Sequence, residues 1–134
     1  MAEECGRLAH PFAGDDVLSE SYQGQRTLMH RDPKQANLFF RRSPDSDELQ
    51  VGIIDFQWTG FGLAATDVAY FLSAAVHADI LEDDGEEMYR RHYYDELRRH
   101  LVEYGAFDSE EDVVRQFGYE TFVEQYPTST CAAS

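Results

Sequence analysis

The stretch from His30 to Asn37 reads HRDPKQAN, and an apolar run then leads into IIDFQ, where Asp55 stands. A carboxylate, an amide and a second carboxylate in this order suit phosphoryl transfer from a magnesium-bound nucleotide. Such transfer needs a hydrogen-bond acceptor beside the attacking hydroxyl, and oxygen ligands that hold magnesium against the phosphates. Asp32 suits the first need. Asn37 can offer its amide oxygen from the far end of the same loop, and Asp55 adds a full negative charge. Pro33, with the polar Lys34 and Gln35, keeps the loop out of a regular helix. By chance a His, an Asp and an Asn fall at this spacing in roughly one chain in a few hundred, so the surrounding elements must support the reading.

Leu38, Phe39 and Phe40 read as a strand, Ser43 to Glu48 as a polar turn, and Leu49 to Ile54 as a second strand. A hairpin of this kind returns Asp55 to the neighbourhood of Asn37. Thr66 is the expected N-cap of a helix with Val68, Phe71, Leu72, Ala75 and Val76 on one face. Asp83, Asp84, Glu86 and Glu87 precede a second helix, expected to reach about Tyr104 with Tyr89, Tyr93, Leu97 and Leu101 as its stripe and Gly105 as its stop. Its paired arginines, Arg90 and Arg91, then Arg98 and Arg99, are flanked by acids and read as a solvated, salt-bridged face. Ser109 with Asp112 resembles a capping box for a third helix running through Phe117 to about Gln125 and ended by Pro127. His77, His92 and His100 lack metal-ligand spacing. Met1 to Gln25 shows no clear period.

These residues resemble the protein-kinase-like superfamily, and specifically its small-molecule branch of aminoglycoside phosphotransferases, choline kinases and ecdysteroid kinase-like (CHK kinase-like) proteins. The stretch IIDFQWTGFGLAATDVAYFL most resembles the last group, in which a Gln follows the Asp-Phe pair and a second aspartate, here Asp67, opens the next helix. The resemblance implies an α+β fold, a mostly helical kinase-like C-lobe with a small β-hairpin carrying the catalytic loop and the metal-binding aspartate. It spans about residues 26–126, between a lead-in at 1–25 and a tail at 127–134. It further implies that Asp32 is the catalytic base and that Asn37 and Asp55 ligate magnesium, with ATP as phosphoryl donor. His30 would buttress the loop, and Asp67 would cap a helix and bond the loop backbone. Lys34, the single lysine of the chain, either approaches a transferred phosphate or stays solvated.

Departures narrow the reading. Arg31 stands where the small-molecule branch usually has Gly, as in protein kinases, but Gln57 replaces the glycine of Asp-Phe-Gly and eleven residues separate Asp55 from Asp67. That spacing leaves no room for a peptide-binding activation segment, so a small hydroxyl- or amino-bearing acceptor is expected. Upstream of His30 the glycines Gly6, Gly14 and Gly24 are isolated, and no second lysine is present to pair with nucleotide phosphates. The sequence therefore reads as a C-lobe without its nucleotide-binding N-lobe. It is a small-molecule kinase, an inactive remnant or binding module, or a chain whose first lobe a separate chain supplies.

Composition bounds the partners. The chain has 134 residues, 43% hydrophobic and 13% aromatic, enough for a core. With 26 acidic against 11 basic side chains, its net charge of −15 argues against nucleic acid and anionic membranes. Cys5 and Cys131 form no disulfide or zinc pattern, and Glu3 and Glu4 open a terminus with no apolar stretch, so a cytoplasmic setting is expected. Cys131 to Ser134 formally fits a prenylation box but lacks a basic second signal.

Overall fold

The computed structural model describes residues 22–126, so the two cysteines, the terminal box, Pro127 and most of the lead-in lie outside the described residues. Two small antiparallel sheets precede a set of helices, a mixed α+β architecture compatible with a kinase-like C-lobe.

The sheets are nested. β1 (Thr27–Met29) pairs with β4 (Gly60–Gly62), while β2 (Leu38–Arg42) and β3 (Leu49–Ile53) form the hairpin between them. Leu38 faces Ile53 and Arg42 faces Leu49, and the Ser43 N–H donates to the Glu48 carbonyl at 2.9 Å to close the turn. Both connections between the sheets, residues 30–37 and 54–59, are thereby brought to the same end of the hairpin. One carries Asp32 and Asn37; the other carries Asp55.

The first helix, α1 (Ala64–Ala75), starts two residues before the expected Thr66 cap. Its N-cap is Leu63, which makes no side-chain cap, and the Thr66 N–H instead donates to the Leu63 carbonyl at 3.0 Å. Packing outweighs capping preference here, because Leu63, Ala64 and Ala65 are all buried. Val68 and Leu72 are buried as the stripe requires, and α1 packs on β1 and on helices further along the chain.

A one-turn helix, α2 (Ala78–Leu81), which the sequence pattern did not reveal, leads to α3 (Gly85–Glu103). Glu86 and Glu87 occupy the first turn of α3, where negative charge favours the positive end of the helix dipole. Gly105 adopts φ +78° and ends it, with the Gly105 N–H on Val102 and the Ala106 N–H on Leu101, so that carbonyls left over by the last turn find donors. The inward stripe is rotated from the expected one: Tyr94 is its buried residue and Tyr89 is exposed. The Tyr94 hydroxyl explains the choice, donating to the Phe117 carbonyl at 2.6 Å and so burying without an unpaired polar group. The expected solvated arginine face holds in part: Arg90 and Arg98, one turn either side of Tyr94, are largely covered and pair with Glu87 and Glu110, while the half-exposed Arg99 pairs with Glu96 and Glu103.

The expected third helix is two helices, α4 (Glu110–Gln116) and α5 (Tyr119–Gln125). The Ser109 hydroxyl oxygen does accept from the Asp112 N–H, at 3.2 Å, at the start of α4. The break falls at Phe117 and Gly118, where Phe117 leaves helical geometry and buries its ring in the core. That core joins Ala65, Val68 and Leu72 of α1 to Tyr94, Phe117 and Phe122. At about 25 cal/mol per Å² of apolar surface removed from water, burial of this cluster is the main force fixing α1, and so the loops above it.

The sheet half is different. Leu28, Phe39, Phe40, Leu49, Val51, Phe56 and Phe61 are each more than half exposed. Among the described residues no helix is long and apolar enough to cross a membrane.

Candidate active site

The loop after β1 begins with a reversal that only an unusual backbone allows. Arg31 has φ +69°, the left-handed region that costs most residues about 1–2 kcal/mol. This is the position where glycine would be at ease, so the side chain must be held to keep it. Its guanidinium donates to the Phe61 carbonyl and lies 3.4 Å from where a Cβ on Gly60 would stand. Arg26 donates to the same Phe61 carbonyl at 2.8 Å.

Asp67 secures the turn from below. It lies in the first turn of α1 rather than at its cap, and its two oxygens accept the backbone N–H groups of His30 (2.8 Å) and Arg31 (2.9 Å). Burial pushes its carboxyl above the usual aspartate range, opposed by those two N–H donors and by the Arg31 guanidinium nearby.

With the turn fixed, Asp32 points into a polar nest and is only 7% exposed. The Asn37 amide nitrogen donates to its backbone carbonyl at 2.9 Å and to its carboxylate Oδ2 at 3.2 Å. Lys34 brings its ammonium to 3.2 Å from the same Oδ2. The Tyr70 hydroxyl of α1 stands 3.1 Å from Oδ1. Burial, then the hydrogen bond and charge of Asp32, push the Tyr70 hydroxyl pKa up, so it stays a neutral donor.

The second loop is tied to the first by backbone and by one imidazole. The Ile54 N–H donates to the Asn37 carbonyl at 3.0 Å, placing Asp55 one residue beyond that contact. His30 receives the Asp32 N–H on Nδ1 (3.2 Å) and pairs through Nε2 with the Ile54 carbonyl (2.8 Å). Phe56 meets the His30 ring edge-on, with centroids 5.0 Å apart. Asp55 itself has φ +63°, a conformation Asp tolerates better than most, and its exposed carboxylate accepts from the Gln57 amide at 3.3 Å.

Of the residues singled out from the sequence, Asp32, Asn37 and Lys34 are thus in direct contact, and His30 and Asp67 hold the loop that carries them. Asp55 is tied to this group through the Ile54 backbone, which donates to the Asn37 carbonyl. Tyr70 was missed, although it stands one helical turn after Asp67 and therefore shares the face that Asp67 turns to the loop. Among the described residues no three His, Cys, Asp or Glu side chains form a ready-made metal cage. The donor set still suits magnesium, which binds through one or two protein groups and completes its shell with phosphate oxygens and water. With its amide nitrogen on Asp32, Asn37 leaves its amide oxygen as the atom that would face a metal, and Asp55 would supply a carboxylate. A hollow of about 470 Å³ lies elsewhere, on the hairpin between Phe39 to Arg41 and Gln50 to Gly52, and has no carboxylate in its lining.

No curated protein and no solved structure matches the chain. Residues 13–106, which take in both loops, α1 and α3, match the ecdysteroid kinase-like family model, so the chain belongs to the ecdysteroid kinase-like family, within the small-molecule branch of the protein-kinase-like superfamily.

Proposed function

We propose that this chain is the acceptor- and metal-holding part of a small-molecule kinase that uses ATP and magnesium. The observation that carries the reading is the buried Asp32 carboxylate, held by Asn37 in a loop whose far end is hydrogen-bonded to the residue before Asp55. In the reaction the acceptor's hydroxyl oxygen bonds to the γ-phosphorus, the bond to the bridging oxygen breaks, and a nucleoside diphosphate leaves. Asp32 takes the hydroxyl proton, a contribution typically worth about 10² to 10⁴ in rate. Asn37 and Asp55 hold magnesium, which when bound offsets charge on the phosphate oxygens. Lys34, paired to Asp32 and half-exposed, can turn towards a phosphate.

The apolar sheet half supports a second element of the reading. Leu28, Phe39, Phe40, Val51 and Phe61 are exposed on the strands that flank the loops, and exposed apolar side chains in such number mark a docking site. We assign it to a nucleotide-covering lobe.

Isothermal titration of ATP into the purified chain, with and without magnesium and alongside Asp55→Asn, tests the proposal. Saturable, magnesium-dependent heat that the variant loses is expected. No heat at millimolar nucleotide, with or without magnesium, would overturn metal and nucleotide binding by this chain alone and leave it a fragment or a non-catalytic remnant.

A further inference from the structure

We infer that Tyr70 is the positioning residue for the Asp32 carboxylate, fixing the plane of that group through its hydroxyl. The inference rests on the reading of Asp32 as the group that takes the acceptor's proton.

The loop restrains Asp32 at one oxygen only. Asn37 and Lys34 both meet Oδ2, at 3.2 Å each, and a carboxylate tethered at one oxygen still turns about its broad, two-fold terminal torsion. The restraint on Oδ1 comes from a different element, the Tyr70 hydroxyl at 3.1 Å. Tyr70 follows Asp67 by one helical turn on α1, and Asp67 already takes the two N–H groups just upstream of Asp32. One face of one helix therefore grips the loop twice, first by backbone and then by the carboxylate. The helix is itself anchored, since Val68 and Leu72 lie in the core. A phenol also suits the task, having few torsions to freeze compared with a long polar side chain.

The arrangement assigns different work to the two oxygens. Oδ2 carries both loop donors, so Oδ1, with Tyr70 on one side, keeps the capacity to receive the acceptor's proton. Tyr70 touches the base and neither the acceptor nor the phosphate, and it keeps its own proton throughout.

The test compares the full chain with Tyr70→Phe, which removes one hydroxyl, and Tyr70→Leu, which keeps an apolar side chain but reaches no oxygen. The readout is 13C relaxation of the Asp32 carboxyl carbon, with the backbone amides of α1 as reference. The carboxylate of the unaltered chain is expected to be as rigid as the backbone, with an order parameter of about 0.85, and to fall below about 0.6 in both variants while α1 stays unchanged. In the same preparations, supplied with magnesium and ATP and with water as the phosphoryl acceptor, diphosphate formation should slow about tenfold to a hundredfold in Tyr70→Phe with KM for ATP unchanged. An equally ordered Asp32 in the unaltered chain and Tyr70→Phe overturns the inference and leaves the role of Asp32 standing. Undiminished diphosphate formation in Asp32→Asn overturns that role, and the inference with it, whatever the relaxation shows.

Discussion

His30 Nε2 lies 2.8 Å from the carbonyl oxygen of Ile54, so one imidazole joins the loop of Asp32 to the residue before Asp55. The other ring nitrogen accepts the Asp32 N–H, and the two contacts demand the same neutral tautomer, with its proton on Nε2. His30→Phe keeps the ring against Phe56 and removes both hydrogen bonds. It should cost about 1–3 kcal/mol in urea unfolding, because the Asp32 N–H and the Ile54 carbonyl each lose a partner. An unchanged unfolding midpoint would mean that the two loops hold together without the imidazole.

Asp55 and Asp32 should separate in function. Asp55→Asn removes the charge proposed to meet magnesium, while Asp32→Asn leaves both proposed ligands in place. Magnesium-dependent ATP binding, followed by titration calorimetry, should therefore weaken much more in Asp55→Asn, by at least about tenfold relative to Asp32→Asn, which corresponds to 1.4 kcal/mol. Equal losses from both would sink the assignment of roles.

Arg31 makes two opposed contributions, an adverse backbone conformation and a favourable guanidinium contact with the Phe61 carbonyl. Arg31→Ala loses the contact and keeps the strain; Arg31→Gly loses the contact and relieves it. The glycine variant should be the more stable of the two by about 1 kcal/mol in denaturant unfolding. The reverse order would show that the left-handed turn is not under strain.

Asp67 gives stability a signature in pH. Its folded-state carboxyl is raised above the usual range by burial, so the folded chain holds that proton more tightly than the unfolded chain does. The corresponding stability is full below the unfolded value and is lost as pH rises through the folded one. Asp67→Asn imitates the protonated form and has no such loss. The destabilisation caused by Asp67→Asn should accordingly be largest near about pH 4 and shrink towards about pH 7. Urea unfolding of both proteins across that range checks the sign, and a penalty that grows with pH would contradict it.

A second pH signature lies in the helices. Burial, reinforced by the charge of Asp67, pushes the Tyr93 hydroxyl pKa up to about 12. Stability contributed by its neutral form is present below the ordinary tyrosine value and is lost as pH rises through about 12. Tyr93→Phe should flatten the alkaline end of the stability curve, as measured by urea midpoints above about pH 10.

What the sequence disclosed was mostly short-range. The hairpin registered because its polar turn and alternating strands are local signals, and Gly105 registered because a helix end needs its conformation. The misplaced features have a common cause, in that tertiary burial overruled a local preference. Leu63 to Ala65 pull the start of α1 away from Thr66, and Phe117 breaks one expected helix into two by turning into the core. Tyr70 was invisible for a related reason. A tyrosine off the apolar stripe of its helix looks like ordinary surface until the loop it faces is known, and only the pairing of β1 with β4 places that loop over α1.

The nesting of the two sheets makes the β2–β3 hairpin a pair of calipers. Asn37 and Asp55 lie at its open jaws, just past the Leu38 and Ile53 pair, and its closed end is the turn from Ser43 to Glu48. Any body that settles on the exposed apolar handles and twists them changes the gap between the two jaws. The spacing of the candidate metal ligands is then set in part by whatever covers the hairpin, while extra residues inserted at the closed end leave that spacing alone.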